Sequence, residues 1–331
     1  MTRKKCISTI AGTAVLALVA TSCGGDSDGG FPGYFSIGTG GTGGTAYPVG
    51  AAYANIMGDA IEETTFSAEA TGGSVENVRL IENGDIDMGQ IQADTGGQAC
   101  TGTGDFDEEV DLNTYAVLYP NALAFIRLEG SAIDSLADIE GQEVGVGDQG
   151  SGTDLGAQAI LGSSGLSYDD FNVNYLSLAD QATAFRDGQI DAAFWSPPRL
   201  GAQSSLIDLA SDQNVDWSGF TDEELEAVSA DYDYYEPGAI DAGTYEGQDE
   251  DFPVMLVYHT YLGSPDLSEE FVYEVTTQII EHAEEVSAQQ VSLEEFRIED
   301  IEQAPCPIHP GAARAYEEAG ATVPEDMIAS D

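Results

Sequence analysis

The chain alternates short apolar runs with amphipathic stretches from residue 34 onward. Tyr34–Thr39 reads as a strand running into glycines. From Ala46 to Glu63, apolar residues recur at Val49, Tyr53, Ile56, Met57 and Ala60, a helical stripe. Phe66–Ala70 reads as a second strand and Asp87–Ile91 as a third. Between them Ser74–Asn83 has the pattern of a short helix, with Ser74 as its N-cap and a stop at Asn83-Gly84. This βαβαβ order favours a parallel sheet. Tyr115–Tyr119 and Ala122–Arg127 are two strands broken by Pro120-Asn121, expected to cross between domains.

A second series follows: strand Glu143–Val146, helix Asp154–Leu161, strand Val173–Leu176, helix Ala179–Asp187 and strand Ile190–Phe194, with Leu206–Leu209 as a further strand. Asp212 to Asp251 is acidic and weakly periodic, and is expected to be loops with one helix near Thr221–Ser229. A strand returns at Val254–His259, then an amphipathic helix at Ser268–Val286 and a last helix, Ala312–Ala319, that stops at Gly320. Two βαβ halves joined by two crossings predict an α/β clamshell with its ligand cleft between the lobes, at the carboxyl ends of the strands. The expected division is 34–119 plus 255–331 for domain I and 120–254 for domain II.

The first 22 residues are of a different kind. Arg3, Lys4 and Lys5 precede an apolar run from Ile7 to Ala20. That run is shorter than the roughly 20 residues a membrane-spanning helix needs, and has the form of an export signal. Ala20-Thr21-Ser22-Cys23 resembles a lipobox, so Cys23 is the expected lipidation site, with residues 23–33 as a glycine-rich tether. The body is then held outside the cell, on the outer face of the membrane. Export also permits a disulfide between Cys100 and Cys306, two free thiols being the alternative.

Charge changes the picture further. There are 60 acids against nine bases, a formal net charge of −51, and no lysine beyond Lys5. Six scattered arginines cannot make the basic surface that nucleic acid requires. With 42% hydrophobic residues the chain still has enough apolar mass to fold. Self-repulsion on this scale is screened in molar salt, where the Debye length is roughly 3 Å. The composition therefore reads as adaptation to brine.

Three segments carry candidate chemistry. Gly38-Thr39-Gly40-Gly41-Thr42-Gly43-Gly44-Thr45-Ala46-Tyr47 leaves a strand and opens a helix. Its backbone N–H groups and hydroxyls suit a small anion at a helix N-terminus. It lacks the Gly-Lys-Ser/Thr ending of a phosphate-binding loop. Asp148-Gln149-Gly150-Ser151-Gly152-Thr153 repeats the device in the second series, and Ala70-Thr71-Gly72-Gly73-Ser74-Val75-Glu76-Asn77 brings a third loop to the cleft. Candidate ligand contacts are Thr39, Gly40, Thr42, Gly43, Gly44, Thr45, Tyr47, Ser74, Asn77 and Gln92 from one lobe, and Ser151, Gly152, Thr153 and Trp195 from the other. Arg127 is the expected cationic contact. No cofactor is expected, and no metal: His259, His282 and His309 are far apart, and only Cys306 and His309 approach zinc spacing.

These three segments, in order, resemble the TAXI family of solute receptors for TRAP transporters. Gly84-Asp85-Ile86-Asp87-Met88-Gly89 with Gln92-Ala93-Asp94, the stretches Ser135–Gly141, Asp187–Phe194 and Ile240–Asp251, and His309–Arg314 are family-like too, so the resemblance runs from about residue 34 to 320. It implies a two-lobed type II periplasmic-binding-protein fold, a glutamate-like amino acid or related organic acid as ligand, and a separate ion-gradient-driven permease as partner. A monomer is expected. Departures fall at Ala46-Tyr47, at the two cysteines and at Trp195-Ser196-Pro197-Pro198. Two alternatives share features with this reading. A receptor for an ATP-driven importer, or a sensor, has the same fold. An exported hydrolase would use Ser74, Ser151 or Ser196 with His259 or His309, but the sequence has no G-x-S-x-G or S-x-x-K motif. A non-enzymatic role is expected.

Overall fold

The computed structural model describes residues 33–330; the expected export signal, Cys23 and most of the tether lie outside the described residues. The elements run β1 (Gly33–Gly38), α1 (Ala46–Ala60), β2 (Thr64–Glu69), α2 (Ser74–Glu82), β3 (Met88–Gln92), α3 (Ala93–Thr101), β4 (Asn113–Leu128), β5 (Glu143–Gly145), α4 (Gly152–Ser163) and β6 (Asn172–Asn174). They continue with α5 (Leu178–Arg186), β7 (Ala192–Trp195), α6 (Ser204–Asp212), β8 (Val215–Asp216), α7 (Asp222–Asp231), β9 (Glu236–Ile240), β10 (Phe252–Gly263), α8 (Glu269–Glu281), α9 (Ala283–Ser287) and α10 (Pro310–Ala319).

The strands follow the path β2-β1-β3-β10-β4-β7-β5-β6. At one end β2, β1 and β3 are parallel, and at the other β6, β5 and β7 are parallel. The long antiparallel pair β4 and β10 joins the two. β4 pairs with β10 from Asn113 to Leu123, then with β7 from Ala124 to Arg127. One strand thus serves both halves, giving a two-lobed arrangement. Separate cores flank them: Ile37, Tyr53, Met57, Val272 and Tyr316 in one half, Phe125, Val144, Ile160 and Phe194 in the other.

Several local expectations are corrected. Pro120 does not break the strand; β4 is continuous through it. The Pro120 carbonyl still accepts from Arg199 N–H at 3.4 Å, and the Ala122 N–H reaches the Pro197 carbonyl at 2.8 Å. The missing N–H sits beside a register shift in the β10 ladder, where pairing is already irregular. Leu206–Leu209 belongs to helix α6, since Leu206, Leu209 and Ala210 are buried at helical spacing while Ile207 is exposed. Within Asp212–Asp251 the structure forms β8 and β9 as well as α7; β9, with Pro237 and Gly238, is an edge strand made by pairing with β10. Ser74 is the first residue of α2 and not its cap. Gly73 holds the cap position at φ 108°, and the Ser74 hydroxyl instead accepts from the Gln92 N–H at 3.1 Å.

Helix α3 has two glycines and little helix propensity, and no periodicity announces it. Packing makes it: a Cβ on Gly96 would lie 2.8 Å from Leu262 and 2.9 Å from Pro305. At its end Cys100 is bonded to Cys306, 206 residues away. Closing so long a loop stabilises the fold by about 5 kcal/mol on the chain-entropy argument.

Candidate functional site

The loop after β1 and the loop after β5 face one cavity of about 280 Å³. In the first loop the Gly44 N–H closes a turn on the Gly41 carbonyl at 3.0 Å. Thr45 precedes α1 but makes no side-chain cap. The N–H groups of Ala46 and Tyr47 therefore open the helix without an acceptor among the described residues, as helix geometry leaves them. In the second loop Gly147 turns the chain at φ 87°, and the Ser151 N–H meets the Asp148 carbonyl at 2.9 Å. The Ser151 hydroxyl accepts from Asp154 N–H at 3.2 Å, and the Asp154 carboxylate accepts from Gly150 N–H at 2.9 Å. Gly152 and Thr153, at the start of α4, keep N–H groups that have no acceptor among the described residues.

The lobes meet around this space. The Val75 N–H donates to the Gly150 carbonyl at 3.1 Å across the gap. A Cβ on Gly152 would lie 1.4 Å from the side-chain amide oxygen Oε1 of Gln92, so any larger residue there would displace that side chain. The Ser196 hydroxyl accepts from the Asn121 amide at 2.5 Å and from the Gln92 amide at 3.5 Å.

The floor comes from the shared strands. Tyr119 of β4 stacks on His259 of β10, centroids 5.4 Å apart. The Tyr119 hydroxyl, His259 Nδ1 and Gln92 Oε1 are all buried, and none has a hydrogen-bond partner. Buried polar atoms are nearly always paired; seven other unpaired ones are scattered among the described residues, but these three belong to residues that line one cavity, which suits it to another molecule. Burial pulls His259 down to about 4, so it is neutral at pH 7. Asp148 also lines the cavity; burial, and then the neighbouring Asp180, raise its carboxyl. No arginine lines the cavity. Among the described residues no group of three or more His, Cys, Asp or Glu side chains could hold a metal ion.

The description of the NMT1-like family matches residues 37–320. The chain belongs to the NMT1-like family. Among solved structures, an alkanesulfonate-binding protein from Xanthomonas axonopodis pv. citri bound to MOPS is 18% identical, with a TM-score of 0.50 over 86% of this chain and 84% of that one. A protein from Bordetella bronchiseptica is 16% identical, with a TM-score of 0.51 over 88% and 85%. A TRAP periplasmic solute binding protein from Roseobacter denitrificans with bound β-D-glucuronate is 13% identical, with a TM-score of 0.44 over 87% and 86%. The fold of this NMT1-like chain is that of periplasmic solute-binding proteins.

Within that fold, Thr39, Gly40, Thr42, Gly43, Gly44, Thr45, Ser74, Gln92, Ser151, Gly152 and Thr153 all line the cavity. Four expected contacts do not. Tyr47 lies one residue inside α1 and is outside the lining. Asn77 is fully buried, its amide donating to the carbonyls of Thr39 and Gln90, both at 2.8 Å, which fixes the loop from behind. Trp195 is buried with its indole N–H on Gln203 Oε1 at 2.5 Å. Arg127 is 2% exposed and turned away, paired with Asp216 at 3.1 Å. Sequence reading missed Tyr119, Asn121, Asp148, Ser196 and His259 as lining groups. Period-two alternation on β4 and β10 could have flagged the tyrosine and histidine, but not their pairing. Ser74, Ser151 and Ser196 make their hydrogen bonds to amides, and none bonds a histidine. His309 caps α10, accepting from Gly311 N–H at 3.1 Å.

Proposed function

We propose that this chain is an extracytoplasmic solute receptor of the TAXI type. It captures a small carboxylate solute, a glutamate-like amino acid or a related organic acid, and delivers it to an ion-gradient-driven TRAP permease. A lipid on Cys23 would hold it to the outer face of the membrane, in a high-salt setting. The ligand would sit between domain I (34–119 plus 255–331) and domain II (120–254), against Thr42, Thr45, Gln92, Ser151, Gly152 and Thr153. One observation carries this reading: two helix N-termini with unused N–H groups face one cavity floored by three buried, unpaired polar atoms. Helix N-termini favour negative charge without any cation. A cavity of about 280 Å³, just under the usual range of roughly 300–1,000 Å³, suits a small solute.

The test is a thermal-shift panel of amino acids, keto acids and dicarboxylates on the purified protein in molar salt, followed by titration calorimetry. A carboxylate ligand should raise the melting temperature by mass action, about 2.7 kcal/mol of stabilisation at a hundred times Kd. A panel without a single shift would overturn the reading. Reconstitution of ligand uptake with the TRAP permease rather than an ATP-driven importer separates the two partners. For the anchor, Cys23→Ser should release the protein from membranes. For the brine reading, the melting temperature should climb between low and molar salt.

A further inference from the structure

The cavity is selective in its charges. One ionisable carboxyl lines it, that of Asp148, and the histidine on its floor is neutral at pH 7. The chain has no lysine beyond Lys5, and the six arginines that follow Arg3 are placed elsewhere. Arg127 pairs with Asp216, Arg186 with Asp212, Arg199 with Glu295 and Arg314 with Glu269 and Glu270. Arg297 donates to the carbonyls of Glu294 and Phe296, and Arg79 lies in a separate recess with Asp105 and Tyr168. Among the described residues the Asp148 carboxylate has no hydrogen-bond or ion-pair partner, though it is half-buried on the very loop that carries the free Gly152 and Thr153 N–H groups. Asp180, behind it, binds the Ser177 hydroxyl at 2.7 Å and adds like charge.

We propose that the ligand is a zwitterion with a single carboxylate, its ammonium group held by Asp148 and its tail an uncharged hydrogen-bonding group seated on Tyr119, His259 and Gln92. This rests on the reading of the cleft as a carboxylate receptor and narrows it. The donor-rich helix starts take the carboxylate. Asp148, four residues before Gly152, takes the positive group beside it, as an α-amino acid requires. A second carboxylate would meet no cation. Beside Asp148 it would meet like charge, since that is the one carboxyl lining the cavity. The floor offers what an amide or hydroxyl needs: a hydroxyl that both donates and accepts, a neutral imidazole nitrogen and an amide oxygen. Such matched polar sites reject analogues that leave their groups unpaired.

Titration calorimetry in molar salt, with L-glutamine, L-glutamate, 2-oxoglutarate and glutaramate, tests each part. Glutamine and glutamate differ in the tail alone, a neutral amide against a charged carboxylate; glutaramate is glutamine without its ammonium. Glutamine should bind at least tenfold tighter than the other three. Asp148→Asn, which removes no contact within the protein, should erase the preference for glutamine over glutaramate while leaving the ligand-free melting temperature within a few degrees. Glutamate or 2-oxoglutarate binding as tightly as glutamine, or an Asp148→Asn variant that keeps its discrimination, overturns the inference and leaves the receptor reading intact. No binding by any of the four overturns the inference. No shift by any member of the wider carboxylate panel overturns both.

Discussion

Two buried polar regions of this molecule differ in how their donors and acceptors are used. Around Arg127, the guanidinium donates to Asp216 at 3.1 Å, to the carbonyls of Gly219 at 3.3 Å and Asp134 at 3.1 Å, and to the Ser218 hydroxyl, with the Phe125 ring 5.6 Å beneath. Four hydrogen bonds engage all three of its nitrogens. In the cleft, the Tyr119 hydroxyl, His259 Nδ1, Gln92 Oε1 and the Gly152 and Thr153 N–H groups have no partner among the described residues. The first region is a strut that ties β4 to the loop after β8. The second is incomplete without a ligand. A charged residue near a cleft is therefore a poor guide to binding. An unpaired neutral one is a better guide, because burying it without a partner costs on the order of 1–3 kcal/mol that a ligand can return.

The largest expected effect tests the strut. Arg127→Ala should destabilise the fold by roughly 2–4 kcal/mol, since it strands Asp216 and three further acceptors. Ligand affinity of the protein that remains folded should stay within twofold of wild type. A selective loss of affinity would erase the contrast between the two regions.

His259 comes next, as an unpaired group that titrates. Its folded-state value of about 4 lies below the ordinary 6.5. Between these values the unfolded chain binds a proton that the folded chain refuses. Stability is complete above pH 6.5 and is lost as pH falls through about 4, by roughly 2 kcal/mol at pH 5. Melting curves of wild type and His259→Gln from pH 7 to pH 4.5 should diverge by that trend, because the variant lacks it; parallel curves would show that His259 is not held neutral.

Gly152 sharpens the cleft side. Gly152→Ala should weaken ligand binding about tenfold, or roughly 1.4 kcal/mol, by displacing Gln92. In a Gln92→Ala background the same substitution should cost much less. Additive effects in this double-mutant cycle would mean that the two residues do not share the space.

The smallest effect separates the two loops. Ser151 both caps α4 and lines the cavity, whereas Thr45 lines the cavity without capping α1. Ser151→Ala should lower stability by about 1 kcal/mol and also weaken binding. Thr45→Ala should weaken binding with stability changed by less than about 0.5 kcal/mol. Denaturant melts and calorimetry on the pair distinguish the two roles.

Much of the fold is legible because its signals are local. The stripe at Val49, Tyr53 and Met57 is buried as helix α1, and the glycine loops do lead into α1 and α4. Where local signals were weak, tertiary contacts decided. Helix α3 forms because Gly96 fits against Leu262 and Pro305, and β9 because β10 offers it an edge. Asn77 and Trp195 lie near the cleft in sequence, but partners behind it hold them.

The sequence by itself determined the alternation of strand and helix, the placing of two donor-rich loops before helices, and a charge balance without lysine in the body. These follow from spacings of a few residues and from composition. The tertiary structure alone decided which polar groups would be satisfied. Arg127 finds its acceptor 89 residues away, Tyr119 meets His259 across the β4–β10 pairing, and Gln92 reaches Gly152 from the opposite lobe. Whether a donor is spent or free depends on atoms brought within about 3 Å by the whole fold, and no local pattern in the chain encodes that distance.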